Sequence, residues 1–255
     1  MPAARAARCA GEQGKFWDMR MSLMKNAHLL TSEYISKTAT DLKLDMRPFT
    51  ACSVSSKYDA EIQAEMQEGT RLGVGGTPTF VMGKPDAPLT MVEFTDLQCP
   101  FCRQFVTTSF DEIKKNWIDT GKLRYISRDF PLDFHAQAMP AARAARCAGE
   151  QGKFWEMRLG LMRNANLLTA EYITKTANDL KLEPKGFAAC NASTKYDADI
   201  QAESAEGTKL GVGGTPTFII GRTTATAVEG PILVGALPYA QFDEKLKILL
   251  SGGTR

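Results

Sequence analysis

The 255-residue sequence has only two histidines and no long apolar run, and each scarcity excludes a class of protein. His28 and His135 are isolated, and the six cysteines include a single Cys-x-x-Cys pair, so the four ligands of a structural zinc site are not at hand. No stretch is apolar over the length that a membrane span requires. The net charge of +2 is too small to indicate nucleic-acid binding. We predict neither a metal nor a cofactor.

The composition is that of a globular protein, with 44% hydrophobic and 24% charged residues. The length suits one large domain, or one ordinary domain with part of another. The opening residues, MPAARAARC, are basic and small but lack the apolar core of a secretory signal. The even number of cysteines favours an oxidising compartment.

Two cysteines stand where a short apolar strand gives way to a helix, within Met91–Phe105 (MVEFTDLQCPFCRQF). Pro100 suits the first helical turn, where its missing N–H is not needed. Cys99 therefore faces unpaired backbone N–H groups and the positive end of the helix dipole, which stabilise a thiolate and lower a cysteine pKa. Cys102 lies one turn deeper. The spacing predicts a dithiol that cycles between two thiols and a disulfide.

We assign Cys99 as the nucleophile and Cys102 as the resolving thiol, and the alternative is a permanent disulfide in a tight loop. Phe101 between them offers no side-chain hydrogen bond to the thiolate, so the oxidising strength of the pair stays open. Arg103 is a nearby cation that would compensate in part, although a side chain at that position more often faces solvent.

The remaining cysteines form two pairs of equal spacing. Cys9 and Cys52 are 43 residues apart, and so are Cys147 and Cys190. We predict a structural disulfide within each pair, inside a helical segment. Closing such a loop contributes about 4 kcal/mol on a chain-entropy estimate. The alternative is four buried free thiols in a cytosolic protein.

The sequence contains a long internal repeat. Residues 1–83 align without gaps to residues 139–221, and 61 of the 83 positions are identical. Both copies include GVGGTPTF, in which glycines lead through Thr-Pro into an apolar run. Met1 aligns with Met139, which is an interior residue. Because the first copy has no Cys-x-x-Cys and no predicted neighbouring strands, we interpret the chain as beginning inside a partial domain.

Several separated motifs resemble the DsbA-like thiol–disulfide oxidoreductases of bacteria, and most closely the thioredoxin-fold branch that includes BdbD and ScsC. The resemblance runs from about Pro85 to Leu250. The matching segments are Glu93-Phe94, Cys99-Pro100-Phe101-Cys102, Phe130–Trp155, Thr215-Pro216 and Gly235–Leu246.

This resemblance implies a thioredoxin-like α/β fold with a helical insert, preceded here by a partial helical repeat. It implies that Thr215 and a cis Pro216 lie opposite the dithiol and leave neighbouring backbone free to pair with a bound peptide. It also implies that Glu93 is a buried acid that moves the proton of the buried thiol, because burial of a lone carboxylate favours its protonated form. The alternative is an edge-strand Glu93 in water. His135 matches a family position, and we interpret it as a helix-start residue rather than a catalytic one.

Hydrophobic periodicity predicts the elements around these motifs. The predicted strands are 77–82, 90–95, 123–129, 215–220 and 232–234. The predicted helices are 2–10, one starting at Thr31, 57–72, 100–117 and one starting near Pro238, with a helical insert over 135–210 and a loop over 223–227. The predicted domains are 1–83, an incomplete repeat, and 84–250, a complete domain, followed by the tail 251–255.

The two repeated strands compete for one position, because only one of them can lie beside the strand 90–95. We expect the copy at 215–220 there, since it continues into the strand 232–234. The copy at 77–82 is then loosely ordered, pairs at a sheet edge, or mediates self-association with another chain. A longer protein with the missing half before Met1 would explain the first copy, and so would an artefact of gene assembly.

We therefore expect an enzyme, a protein thiol–disulfide oxidoreductase that acts as an oxidase on exported proteins. An isomerase or reductase of the same fold is one alternative, and a peptide-binding, chaperone-like module is another. The expected partners are cysteine-containing exported proteins and a membrane or soluble redox partner, without nucleic acid. The expected location is the bacterial periplasm or another extracytoplasmic compartment.

Overall fold

The chain folds into two compact units, Met1–Thr70 and Arg71–Arg255. The computed structural model describes residues 1–26, 29–71, 79–224 and 228–253. His28, like residues 77 and 78 of the predicted first strand, lies outside these ranges.

The first unit is built from helices whose ends are set by local capping. Pro2 begins its first helix, at a position where a missing N–H costs nothing. The Thr31 hydroxyl accepts a hydrogen bond from the backbone N–H of Tyr34, which caps the helix that follows it. The helices are α1 (Pro2–Gly11), α2 (Phe16–Lys25), α3 (Ser32–Asp41), α4 (Met46–Val54) and α5 (Asp59–Arg71).

Apolar faces of these helices enclose a core within the first unit. Short alanines let α1 approach its neighbours closely, and larger side chains from α2 to α4 fill the remaining space. The core residues are Ala6, Ala7, Cys9, Ala10, Met19, Leu23, Ile35, Ala39, Leu44, Phe49 and Cys52.

A mixed six-stranded sheet forms the centre of the second unit. Its strands are β1 (Phe80–Met82), β2 (Leu89–Thr95), β3 (Leu123–Asp129), β4 (Thr217–Thr223), β5 (Val228–Glu229) and β6 (Ile232–Val234). They lie in the order β1-β3-β2-β4-β5, and β6 also pairs with β4. β2 and β3 are parallel and almost wholly buried, as expected for parallel strands covered on both faces.

The second copy of the repeated strand lies beside β2, as predicted. In this antiparallel ladder Glu93 is opposite Phe218. The first copy, over Phe80–Met82, pairs antiparallel with β3 at the edge of the sheet, which is one of the outcomes expected for it. Because β1 belongs to the sheet, the first unit ends at Thr70 rather than at residue 83.

A helical run follows the Cys-x-x-Cys motif, as predicted. It consists of α6 (Pro100–Phe105), a π-helical turn (Val106–Phe110), α7 (Asp111–Ile113) and a second π-helical turn (Lys114–Ile118). Phe105, Ile113 and Trp117 are buried along it, so the apolar stripe of the sequence faces the core. The closing helix α13 (Tyr239–Leu250) begins directly after Pro238, its N-cap.

The helical insert has the same organisation as the first unit. Its helices are α8 (Ala138–Gly149), α9 (Phe154–Arg163), α10 (Ala170–Asp179), α11 (Pro184–Ala192) and α12 (Asp197–Lys209), with a 3₁₀ turn at Ala165–Leu167. Helices α9 to α12 match the bounds of α2 to α5 at an offset of 138 residues. Cys9 is bonded to Cys52 and Cys147 to Cys190, so both predicted disulfides are confirmed.

Buried ion pairs fasten the insert to the sheet. Arg146 on α8 donates to Asp129 at the end of β3 (2.7 Å) and lies 2.8 Å from Glu203 on α12. Glu203 also accepts hydrogen bonds from Arg128 (2.9 Å) and from the backbone N–H of Asp129 (2.7 Å). Loss of one partner would leave a buried charge uncompensated, which costs about 3–5 kcal/mol. This network therefore fixes α8 and α12 against β3.

Two details differ from the sequence prediction. The loop predicted over 223–227 starts too early, because Thr223 ends β4 and its hydroxyl donates to the Ala87 carbonyl (2.7 Å). Residues 225–227 are outside the described ranges. The strand β5 has only two residues, too few to show the alternation by which strands are predicted. Within the described ranges, the helices are too short or too polar to cross a bilayer.

The position of β1 predicts how two truncations differ. We expect the fragments 71–255 and 84–255 both to fold and to keep the dithiol. The shorter one should be less stable by roughly 1–3 kcal/mol, because it loses the strand that pairs with β3 and the Phe80 ring that stacks on Phe154. Urea unfolding of the two fragments measures the difference, and equal midpoints would contradict it.

Candidate active site

Cys99 occupies the N-cap of α6. Its backbone is extended (φ −66°, ψ 127°), and the helix begins with Pro100. The first backbone N–H groups of α6 therefore point toward the Cys99 side chain. The preceding turn is closed by a hydrogen bond from the Cys99 N–H to the Asp96 carbonyl (3.1 Å). Sequence and structure thus agree on a cysteine placed at a helix N-terminus.

The thiolate form of Cys99 is stabilised by groups of the same turn. The Cys102 thiol donates to the Cys99 sulfur, and the backbone N–H groups of Cys102 and Phe101 add to this. These bonds outweigh the opposing effect of burial and lower the pKa of Cys99 to about 6. Cys99 is therefore mostly thiolate at neutral pH, which is the reactive form of a cysteine.

Cys102 has the opposite character. None of its surface is exposed, and burial raises its pKa well above the ordinary value. The hydrogen bond to Cys99 and the negative charge of Glu93 act in the same direction. The two thiols are thus divided into an ionised Cys99 and a Cys102 that holds its proton.

The segment Thr215-Pro216 lies against this turn, and its peptide bond is cis. The Cys99 sulfur lies 3.3 Å from the Thr215 carbonyl oxygen, which accepts a hydrogen bond from it when Cys99 is protonated, although the residues are far apart in sequence. The Pro216 carbonyl accepts from the backbone N–H of Gly235 (2.8 Å), which ties it to the residue after β6. The sequence could not establish the cis bond, and Pro78 of the first copy is outside the described ranges.

Glu93 lies in the middle of β2 with none of its surface exposed. Its Oε2 accepts hydrogen bonds from Arg158 Nη2 and from the Tyr125 hydroxyl. Arg158 Nε also donates to Ser127 Oγ (2.9 Å). Burial opposes the Arg158 charge, but Glu93 outweighs it and raises the pKa of Arg158 above its usual value. We call Glu93, Arg158 and Tyr125 the buried triad.

The buried triad excludes one of the two alternatives for Glu93 and amends the other. The alternative of an edge-strand Glu93 in water is wrong, because β2 is central and covered on both faces. The expectation of a lone buried carboxylate is also wrong, since Arg158 supplies a countercharge. Sequence reasoning missed Arg158, although its spacing from Phe154 and Leu161 places it on the buried side of α9. An arginine within an apolar helix face indicates a buried acidic partner.

His135 orders the loop that leads to α8. Its Nδ1 lies 2.8 Å from Asp96 Oδ2, and the same oxygen accepts from the backbone N–H of Leu132 (2.9 Å). The His135 carbonyl accepts from the N–H of Ala138, the first residue of α8. His135 was predicted to be a helix-start residue, but it lies in the turn before α8, whose N-cap is Gln137. Because Asp96 also closes the turn before Cys99, the same contacts tie that turn to the insert.

The two residues considered for tuning the thiolate point elsewhere. Phe101 is 59% exposed and presents its ring to solvent next to Cys99. Arg103 is exposed, and its Nε donates to the Arg163 carbonyl at the end of α9 (2.9 Å). Arg103 is therefore used to stabilise a helix C-terminus rather than the thiolate.

Side chains of the kind that bind metals gather at one place in the first unit. Ligand atoms of Cys9, Glu12 and Cys52 lie within 4.8 Å of one another. The two sulfurs are joined in a disulfide, and Glu12 accepts from Lys57 and Tyr58 at 3.0 Å each. A metal binds the thiolate rather than a disulfide sulfur, so this cluster is structural in the oxidised protein.

Two family models match the sequence. The model described as Thioredoxin matches residues 80–231, which is more than half of the chain. The model described as DSBA-like thioredoxin domain matches residues 2–88.

Solved structures of two bacterial proteins have a similar fold. Wolbachia pipientis alpha-DsbA1 is 25% identical, with a TM-score of 0.63, and the match covers 71% of this chain and 96% of that one. BdbD from Bacillus subtilis is 23% identical, with a TM-score of 0.59, and the match covers 68% and 92%. At the latter identity the likeness shows the fold alone.

Curated relatives match over a shorter part of their length. The Na(+)/H(+) antiporter NhaA 1 of Mycolicibacterium gilvum is 34% identical over 145 residues, which is 55% of this chain and 23% of that protein. The NhaA 1 of Salinispora arenicola is 36% identical over 142 residues, which is 55% and 21%. The chain therefore spans less than a quarter of the length of these relatives.

The opposite pKa shifts of Cys99 and Cys102 predict how the rate of alkylation depends on pH. In the reduced protein Cys99 should react first with iodoacetamide, and its rate should be half-maximal near pH 6, falling below that pH as the thiolate is protonated. Rates measured between pH 4 and 9, with the site identified by mass spectrometry, test this. Faster reaction at Cys102, or a midpoint near 8.5, would contradict the assignment.

Proposed function

Because this chain belongs to the thioredoxin family, as a DsbA-like thiol–disulfide oxidoreductase, we propose that its Cys99–Cys102 pair oxidises cysteine pairs in exported proteins. The observation that carries the proposal is the division of the thiols, with an ionised Cys99 at a helix N-terminus and a buried, protonated Cys102. A stabilised Cys99 thiolate favours the reduced form of the pair, which makes the disulfide form an oxidant.

The reaction proceeds through a mixed disulfide on Cys99. A substrate thiolate attacks the Cys99 sulfur of the disulfide form, the bond to Cys102 breaks, and Cys102 leaves and takes up a proton. A second substrate thiolate then attacks the substrate sulfur, so that Cys99 leaves as a thiolate. The substrate loses two electrons, and the enzyme pair gains them. A leaving group with a low pKa speeds this last step.

The cis Thr215-Pro216 segment is proposed to hold the substrate chain. The Thr215 carbonyl is within hydrogen-bonding distance of the Cys99 sulfur, so a peptide extended along residue 215 would bring its own cysteine to that sulfur. The exposed ring of Phe101 offers an apolar contact beside the same sulfur. Recognition through backbone and a general apolar contact suits an enzyme that accepts many exported proteins.

Glu93 is proposed to carry the proton that Cys102 releases and takes up. It is buried in β2, and its charge already acts on the Cys102 thiol. A buried thiol has no direct access to water, so an internal carboxylate is a suitable acceptor and donor for its proton.

The proposed location is the bacterial periplasm or a comparable extracytoplasmic compartment. Two structural disulfides lie outside the dithiol, and such bonds persist in oxidising compartments. After each turnover a redox partner, membrane-bound or soluble, would restore the Cys99–Cys102 disulfide.

An isomerase or reductase role is favoured by one observation. The Cys99 pKa of about 6 lies between the values of about 7 for thioredoxin and about 3.5 for DsbA. The reduction potential of the pair, measured against glutathione, separates the roles. A value near −120 mV supports an oxidase, one near −180 mV an isomerase, and one near −270 mV a reductase.

Two serine variants test the roles of the cysteines. Cys99→Ser should abolish oxidation of a dithiol peptide, because no sulfur remains to form the mixed disulfide. Cys102→Ser should instead accumulate a mixed disulfide on Cys99, visible on non-reducing gels and by mass spectrometry. As a matched control, Cys9→Ala/Cys52→Ala removes a disulfide of the first unit and should leave peptide oxidation unchanged. Activity in Cys99→Ser would refute the proposal.

A further inference from the structure

We propose that Arg158, a residue of the helical insert, is a positioning residue that holds Glu93 as a carboxylate ready to take the proton of Cys102. The inference rests on the proposed function and adds to it a residue on a different element. Arg158 is 1% exposed and belongs to α9, whereas Glu93 belongs to β2. The insert would thus contribute to the chemistry as well as to the fold.

The two carboxylate oxygens of Glu93 differ in their hydrogen bonds. Oε2 receives both Arg158 Nη2 and the Tyr125 hydroxyl. Oε1 is buried and has no hydrogen-bond partner among the described residues. A buried carboxylate oxygen without a donor is costly, and such an exception in a native fold calls for an explanation. Transient protonation of Oε1 by the Cys102 thiol provides one.

Arg158 is held firmly enough to fix Oε2. Its Nε donates to Ser127 Oγ (2.9 Å), its Nη2 also reaches the Tyr125 hydroxyl (3.3 Å), and its guanidinium lies over the rings of Tyr125 and Trp155 at 5.9 and 5.6 Å. These contacts come from both the sheet and α9. Arg158 is thus the countercharge that the buried carboxylate of Glu93 requires.

The first unit shows that the helix alone does not dictate this arrangement. Arg20 holds the same place in α2 that Arg158 holds in α9, at the offset of 138 residues. Arg20 is exposed, and its guanidinium lies over the ring of Trp17 (5.5 Å), which is itself 68% exposed. The arginine is therefore buried where Glu93 is its partner and exposed in the first unit.

A protein disulfide reoxidises the reduced pair in two exchanges. Cys99 is first joined to one sulfur of that disulfide. The Cys102 thiol passes its proton to Glu93 Oε1, and its sulfur attacks Cys99. The Cys99–Cys102 bond forms, the bond from Cys99 to the partner breaks, and the partner sulfur leaves as a thiolate. The enzyme pair loses two electrons and the partner gains them.

The experiment measures this resolving step directly in the 255-residue chain. Reduced enzyme is mixed with oxidised glutathione, quenched in acid, and analysed for the Cys99–glutathione adduct between pH 5 and 9. In Arg158→Met the adduct should decay about tenfold more slowly at pH 7, and the rate should recover only at higher pH, where hydroxide replaces the missing acceptor. Arg158→Lys keeps the charge and should restore most of the rate.

A matched control separates chemistry from structure. Arg146 is also buried on the insert, at 2% exposed, but it pairs with Asp129 and Glu203 rather than with Glu93. Arg146→Met should therefore weaken the fold without moving the pH profile. The titratable groups around Glu93 are Arg158, Tyr125 and Cys102. Because the inference assigns the effect to the cation of Arg158, Tyr125→Phe should leave the midpoint of the pH profile unchanged.

A double variant without either charge tests the inference if Arg158→Met does not fold. Glu93→Gln/Arg158→Met replaces both members of the ion pair, which buried pairs often tolerate. Its profile should equal that of Glu93→Gln, because Arg158 acts only through Glu93. A wild-type profile in Arg158→Met, or a double variant much slower than Glu93→Gln, would overturn the inference. If the wild type forms no adduct at Cys99, the proposed function itself fails.

Discussion

The antiparallel ladder between β2 and β4 is the constraint on which the candidate site depends. β2 delivers Cys99 at its carboxyl end, and β4 begins directly after the cis Thr215-Pro216 bond. Because the ladder pairs Phe94 with Thr217, the turn of one segment must face the turn of the other. A slip of one residue would turn every side chain of β4 to the opposite face and separate the Thr215 carbonyl from Cys99.

The helical insert supplies the positive charges that the buried acids of the sheet require. Two strands of the sheet carry buried acids, Glu93 on β2 and Asp129 on β3, and each finds its countercharge on a helix of the insert. Arg158 reaches the first and Arg146 the second. A buried charge is tolerated only when it is paired, so the sheet and the insert are matched in their charges as well as in their apolar surfaces.

Local chemistry was the part of this protein that its sequence could predict. The Cys99-Pro100 turn, the cap at Thr31 and the equal spacing of the two disulfide pairs each depend on residues close together or on a simple count. The partner of Glu93 could not be found in this way, because Arg158 lies 65 residues further along the chain. Tertiary packing, rather than local sequence, brings Arg158 to Glu93.

The repeated strand shows the same limit. Phe80 and Phe218 stand in identical octapeptides, yet one lies opposite Ser127 at the edge of the sheet and the other opposite Glu93 in its interior. Local sequence therefore allowed a strand in both places and could not by itself determine which copy lies beside β2. The connection from β4 onward to β6 determines this, and that connection is a property of the whole chain.

The self-contained core of the first unit also has a consequence for the order of folding. That core joins residues between Ala6 and Cys52, so a helical segment of this kind can close over short loops. The sheet must instead join Leu89 to Arg222, which requires a much longer loop and a correspondingly larger entropic cost. During synthesis the first unit can therefore be organised while β2 and β4 are still unmade. A helical segment with the organisation of the insert would then be in place before the candidate site exists.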